Sequence, residues 1–131
     1  MVVDTSAVFA IMAREPDADR YRGALKGQAD LFMSAFTVFE CRTVIHRRLS
    51  PSLLGAYDDF MLKGEVRVVP FDSDHATIAF AAYRRFGKGS GHKAQLNLGD
   101  CAAYALATSL DLPLLFKGDD FGRTDVRPAL P

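Results

Sequence analysis

Short apolar runs alternate with longer amphipathic segments along the whole chain of 131 residues. The apolar runs are short enough for buried strands, and the amphipathic segments have helix length and helix-capping residues. Strands separated by helices predict a parallel sheet with helices on both faces, which is an α/β fold. We predict strands over Val2–Asp4, Leu31–Ser34, Val66–Pro70 and Leu114–Phe116, and helices over Thr5–Glu15, Pro16–Gly27, Ala35–Leu49, Pro51–Lys63, Ser73–Phe86 and Gly99–Leu110.

The length of the chain suits one hydrophobic core, because a protein of this size buries roughly two-thirds of its surface on folding. We therefore expect residues 1–131 to form a single domain. A content of 49% hydrophobic residues excludes disorder, and no uncharged run is long enough for a membrane span. The start carries no basic segment of a signal peptide, and the two cysteines fit neither a disulfide framework nor a zinc site. We expect a cytoplasmic protein with no membrane contact.

Acidic side chains stand at the ends of predicted strands and on predicted helices. Asp4 ends the first strand, and ligands of open α/β sheets bind at that edge. Capping of the following helix explains Asp4 equally well. Glu40 lies at the shoulder of the apolar face of its helix, where an exposed surface glutamate is the simpler interpretation.

Asp100 enters a helix that carries no other charge before Asp111, so this helix is expected to be buried. Asn97 and Asp100 have the spacing of a capping box, yet a carboxylate in so apolar a place needs a cation, donors or a raised pKa. Asp119 and Asp120 follow the last strand, where a plain turn is an equally good interpretation. If the strands are parallel, these acids meet at one edge as a hard-oxygen site suited to Mg²⁺ or Mn²⁺.

The basic residues are unevenly distributed, although sixteen of them balance sixteen acidic residues. The net charge of zero gives no overall attraction to nucleic acid, but the segment RRFGKGSGHK, residues 84–93, contains no acid. Contact with a phosphate backbone and a solvated helix end with a flexible loop explain this segment equally well. Its glycines match no nucleotide-binding motif. The candidate phosphate contacts are Arg84, Arg85, Lys88 and Lys93.

Four segments, in this order, resemble the PIN-domain ribonucleases, and among them the VapC-type toxins of bacterial toxin–antitoxin pairs. They are DTSA (4–7), TVFE (37–40), LNLGDCAAYALA (96–107) and FKGDDFGRTD (116–125). The resemblance covers nearly the whole chain and implies a three-layer α/β/α sandwich with a central parallel sheet. It also implies an acidic pocket that binds Mg²⁺ or Mn²⁺, hydrolysis of RNA phosphodiester bonds, a homodimer and inhibition by a VapB-type antitoxin.

The same resemblance implies roles for individual side chains. The fourth acid of the family precedes a phenylalanine, which favours Asp120, with Asp119 as the second choice. Apart from the resemblance, the geometry of a helical turn predicts that Asp119 caps this turn. Ser6 matches a small hydroxyl residue that is expected to hydrogen-bond to an acid. The catalytic and metal-binding acids implied are Asp4, Glu40, Asp100 and Asp120.

Two other functions are compatible with the sequence. A catalytically inactive PIN-like RNA-binding domain would keep the fold without cleavage, although acids at all four motif positions argue against it. A phosphoacceptor receiver domain also has acids at strand ends and a lysine after its last strand, the position of Lys117. The first strand here, however, ends in one acid rather than in an adjacent pair.

Overall fold

The computed structural model describes residues 1–131 and contains one sheet of four parallel strands. Val2 pairs with Phe32 on one side and with Leu114 on the other, so the first predicted strand of the sequence lies inside the sheet. The predicted parallel sheet is therefore confirmed, although each strand is one or two residues shorter than predicted. The strands are β1 (Val2–Val3), β2 (Phe32–Ser34), β3 (Arg67–Val69) and β4 (Leu114–Leu115), in the order β3-β2-β1-β4.

Six α-helices connect the strands, and none of them is long and apolar enough to cross a lipid bilayer. The segment predicted as one helix over Ala35–Leu49 is α-helical only to Val44 and continues as a π turn over Ile45–Leu49. A 3₁₀ turn over Pro51–Leu53 precedes the next helix. The helices are α1 (Thr5–Met12), α2 (Ala18–Leu25), α3 (Ala35–Val44), α4 (Leu54–Lys63), α5 (Ser73–Phe86) and α6 (Leu98–Leu110).

The sheet separates two hydrophobic clusters, because successive side chains of a strand point to opposite faces. Val2 and Leu114 belong to the cluster with α5 and α6. Val3 and Leu115 belong to the cluster with α1, α2, α3 and α4. The protein is thus the three-layer α/β/α sandwich that the resemblance implied.

The short strands bring two helix starts to one edge of the sheet. Only Asp4 separates β1 from α1, and Ser34, the last residue of β2, caps α3. Eight residues of α6 are buried, as predicted for a helix without charge on its apolar faces, so its start is fixed against the same layer. The acids carried by α1, α3 and α6 consequently face a common region.

Candidate active site

A pocket of about 300 Å³ lies where α1, α3 and α6 meet beyond the end of β1. Asp4, Glu40 and Asp100 all line this pocket, so the structure brings three of the four predicted acids together. The other lining residues are Thr5, Ser6, Phe9, Glu15, Val44, Arg48, Asn97 and Lys117.

Asp4 is 2% exposed and caps α1. Its Oδ2 atom accepts hydrogen bonds from the backbone N–H of Ser6 (2.9 Å) and from the Ser6 hydroxyl (2.6 Å). The backbone N–H of Lys117 in turn donates to Ser6 Oγ at 2.9 Å, which ties the Ser6 hydroxyl to the segment after β4. Burial raises the pKa of Asp4, and the bonds from Ser6 oppose that rise. The capping and the functional interpretations of Asp4 are compatible, because Oδ1 is buried and accepts no hydrogen bond.

Glu40 is held between two neighbours that the sequence analysis did not identify. Its Oε1 atom accepts a hydrogen bond from the Thr5 hydroxyl at 2.5 Å. On its other side lies Gly99, where a Cβ atom would overlap the Glu40 carboxylate. Burial, together with the charge of Asp4, raises the pKa of Glu40. Glu40 is therefore a half-buried member of the pocket rather than an exposed surface residue.

Asp100 forms the predicted capping box at the start of α6. Its Oδ2 atom accepts from the Asn97 backbone N–H at 2.9 Å, and Asn97 Oδ1 accepts from the Asp100 N–H at 2.8 Å. Burial, followed by the negative charges of Asp4, Glu40 and Asp120, raises the pKa of Asp100 to about 7. Asp100 thus has both a hydrogen-bond donor and a raised pKa, as the sequence predicts for a carboxylate in so apolar a place.

Asp119 and Asp120, in the turn after β4, have different neighbours. The negative charge of Asp120 contributes to the raised pKa of Asp100, although Asp120 does not line the pocket itself. Asp119 lines a separate cavity with Asp17 and Tyr21. The expectation that Asp119 caps this turn is wrong: the 3₁₀ turn begins after Asp120, and no side chain caps it.

None of the residues of the basic segment 84–93 lines the pocket. Arg84, Lys88 and Lys93 are exposed. Arg85 forms a salt bridge with Asp125 at 3.1 Å and stacks over the ring of Phe86 at 4.5 Å.

Lys117 lines the pocket but its ammonium is already paired. Nζ donates to Glu15 Oε2 at 2.5 Å and to Asp17 Oδ1 at 2.7 Å. These hydrogen bonds, first that with Asp17, raise the pKa of Lys117. The lysine therefore does not pair with Asp4. In a receiver domain, the lysine after the last strand would form that pair.

Comparison with known proteins gives a consistent family. Residues 1–127 match the PIN domain family. Ribonuclease VapC28 of Mycobacterium tuberculosis is 45% identical over 130 residues, which are 99% of this chain and 98% of that relative. Ribonuclease VapC42 of the same organism is 43% identical over 129 residues, which are 98% of each chain.

Solved structures show the same fold. Mycobacterium tuberculosis VapC20, described as a toxin that cleaves the Sarcin-Ricin loop, superposes with a TM-score of 0.76 at 20% identity. The superposition covers 97% of this chain and 98% of that chain. A toxin–antitoxin complex from Klebsiella pneumoniae gives a TM-score of 0.66 at 16% identity, over 92% of this chain and 88% of that chain. The match over residues 1–127, with relatives at 43–45% identity along their whole length, shows that the chain belongs to the PIN domain family and to its VapC group.

Proposed function

We propose that this protein is a metal-dependent ribonuclease and the toxin of a toxin–antitoxin pair. The observation that carries the proposal is the arrangement of Asp4, Glu40 and Asp100 around one pocket. In each of them one carboxylate oxygen accepts a hydrogen bond from the protein, while the second oxygen accepts none. The VapC relatives, which are named ribonucleases, support the reaction.

The free oxygens fit a divalent cation. Asp4 Oδ1 is buried without a partner, a state that costs free energy unless a cation or a donor completes it. No three acidic, histidine or cysteine side chains lie close enough to bind one ion alone. Mg²⁺ is commonly bound through one or two carboxylates and several waters. We propose that Asp4 and Asp100 hold Mg²⁺ or Mn²⁺ directly, and that Glu40 and Asp120 complete the site directly or through water.

A divalent ion bound there would neutralise phosphate charge and lower the pKa of water for attack on a phosphodiester. The protein supplies the orientation. Ser6 fixes Oδ2 of Asp4, and the Asn97 backbone N–H fixes Asp100. The Thr5 hydroxyl and the space left by Gly99 fix Glu40. Each acid therefore presents its second oxygen in a defined position.

We predict that Asp4→Asn and Asp100→Asn each lower metal-dependent RNA cleavage at least about 100-fold. Loss of a group that only hydrogen-bonds to a metal ligand already lowers metal affinity or activity about 10–100-fold, and loss of the ligand itself should cost more. Ser6→Ala, which removes such a hydrogen-bonding group, should cost about 10–100-fold. The measurement is the cleavage rate of total bacterial RNA with Mg²⁺ or Mn²⁺. EDTA should abolish wild-type cleavage.

The matched control is Asp111→Asn, because the side chain of Asp111 is 95% exposed. It should cleave like the wild type. Full activity of Asp4→Asn and Asp100→Asn, or cleavage that persists in EDTA, would refute the metal-dependent nuclease. RNA binding without any cleavage by the wild type would instead support the catalytically inactive RNA-binding domain.

We propose Asp120 as the fourth acid, supported by its charge on Asp100 and by the separate cavity of Asp119. Asp120→Ala should lower the cleavage rate strongly and leave the melting temperature nearly unchanged. Asp119→Ala should retain most activity and change the free energy of unfolding by less than about 0.5 kcal/mol, because Asp119 caps nothing. The opposite pattern of rates would assign the fourth acid to Asp119.

The stability of the metal-free protein should fall as pH rises. Because the folded pKa of Asp100 is about 7 and its ordinary value is 3.8, the folded protein keeps a proton that the unfolded chain loses between these values. The free energy of unfolding in EDTA should therefore decrease from about pH 4 to about pH 7 and then level off. Asp4 and Glu40, whose pKa values are also raised, should add to the decrease.

Asp100→Asn keeps an acceptor for the Asn97 N–H and removes the charge, so its decrease with pH should be smaller, and it should be more stable than the wild type at pH 8. Urea unfolding at a series of pH values measures this. Asp119→Asn, at an exposed site outside the pocket, is the control and should follow the wild-type curve. Equal curves for Asp100→Asn and the wild type would contradict the repulsion among the acids.

We propose a VapB-type antitoxin as the partner and a homodimer as the assembly, both acting in the cytoplasm on cellular RNA. The resemblance to VapC proteins supports the antitoxin, and a structural neighbour is itself a toxin–antitoxin complex. Phe39 and Leu98, 69% and 68% exposed, border a cavity beside the pocket and offer apolar surface for association. The two buried free cysteines are compatible with a reducing compartment. We further propose that residues 1–131 act as a single domain.

Expression of the wild type alone should arrest bacterial growth, and Asp4→Asn should not. Co-expression with the antitoxin gene next to it should restore growth, and the two proteins should purify together. Growth unaffected by a well-expressed, nuclease-active wild type would contradict the toxin role while leaving the nuclease in place.

Outside the pocket, we propose that Arg84, Arg85, Lys88 and Lys93 contact the RNA backbone away from the cleaved bond. The exposure of these side chains supports the proposal. The salt bridge to Asp125 leaves Arg85 with the weakest contribution of the four.

A further inference from the structure

Arg48 lies on the π turn that follows α3. Turns of this kind are rare and occur often at functional sites. Ile45, 1% exposed, anchors the turn in the core, while His46, Arg47 and Arg48 are exposed. The sequence predicts a continuous helix here, and it assigns no role to any of these three residues.

Arg48 reaches the acidic pocket and lines it together with Asp4, Glu40 and Asp100. Its guanidinium carbon lies 4.6 Å from the centre of the Phe9 ring, and Phe9 lines the same pocket. Stacking engages the face of a guanidinium and leaves its in-plane N–H donors available. The Phe9 ring therefore positions Arg48 without using its hydrogen-bonding capacity.

The charge of Arg48 is not neutralised by any carboxylate. None of the salt bridges of the structure involves Arg48. The other cation of the pocket, Lys117, is paired with Glu15 and Asp17. Arg48 is thus the one unpaired cation among the residues that line the pocket.

An unpaired cation beside several carboxylates can attract a ligand that is a polyanion. The phosphates of a nucleic acid strand are repelled by Glu15, Glu40 and the other acids of the pocket wall. A bidentate guanidinium at the rim offsets that repulsion for one phosphate and fixes its position. The exposed basic residues of segment 84–93 do not line the pocket.

We propose that Arg48 is a substrate-positioning residue that binds one RNA backbone phosphate adjacent to the cleaved bond. The proposal rests on the proposed ribonuclease function. Arg48 holds the strand at the pocket mouth so that the neighbouring phosphodiester enters the acidic pocket. Its role is in binding, and it takes no part in proton transfer.

The test measures binding without cleavage. A fluorescent pool of single-stranded RNA of random sequence is titrated with protein in EDTA at several NaCl concentrations, and fluorescence anisotropy gives the affinity. Arg48→Ala should weaken binding about tenfold at low salt and reduce the slope of log affinity against log salt by about 0.7, the value for one lost phosphate contact on a single strand. Arg48→Lys should recover most of the slope and part of the affinity.

Arg47→Ala is the matched control, because Arg47 is exposed on the same turn but does not line the pocket. It should bind with the wild-type affinity, or lose less than Arg48→Ala. The melting temperature of each variant reports the loss of the Phe9 contact. The salt slope of RNA binding reports the loss of a phosphate contact.

Equal salt slopes for wild type and Arg48→Ala would overturn the proposal, as would a wild type that does not bind the pool at low salt. A variant with normal RNA binding that no longer binds the antitoxin would assign Arg48 to a protein contact instead, and would also overturn it. None of these results tests metal-dependent cleavage, which is measured separately. Failure of cleavage with normal, Arg48-dependent binding would instead refute the ribonuclease.

Discussion

Asp4, Glu40 and Asp100 share one partly buried pocket, where burial raises the pKa of each acid and the neighbouring negative charges add to the rise at Glu40 and Asp100. The fold counters this with hydrogen-bond donors to one oxygen of each acid, and it leaves the other oxygen of each without a donor. The divalent cation proposed above would supply the positive charge that these oxygens lack. The helix starts, the capping box and the Gly99 gap all serve to hold the acids in this arrangement.

Local patterns explain what the sequence could predict. The alternation of apolar runs and amphipathic segments predicted the parallel sheet and its six helices, because each element is defined by residues close together in the chain. The capping box of Asn97 and Asp100 was predictable for the same reason, since its partners are three residues apart. The hydrogen bond from Ser6 to Asp4 was expected from the family resemblance and is present.

Contacts between distant segments could not be predicted in this way. Thr5 and Glu40 are 35 residues apart, and only the packing of α1 against α3 brings them together. The π turn that carries Arg48 has the composition of an ordinary helix end, so the pattern extended the helix to Leu49. Lys117 illustrates the same limit. Its position after the last strand suggested a receiver domain, whereas its pairing with Glu15 and Asp17, and the PIN domain match, exclude that function.

If the free oxygens of the acids form one cation site, a crystal structure with Mn²⁺, in which the anomalous signal locates the ion, will show it. We expect a Mn²⁺ peak bonded to Asp4 Oδ1 and to Asp100, and its loss in crystals of Asp4→Asn. An ordered pocket that remains free of Mn²⁺ at millimolar concentration, or a peak bonded only to residues outside the pocket, would contradict it.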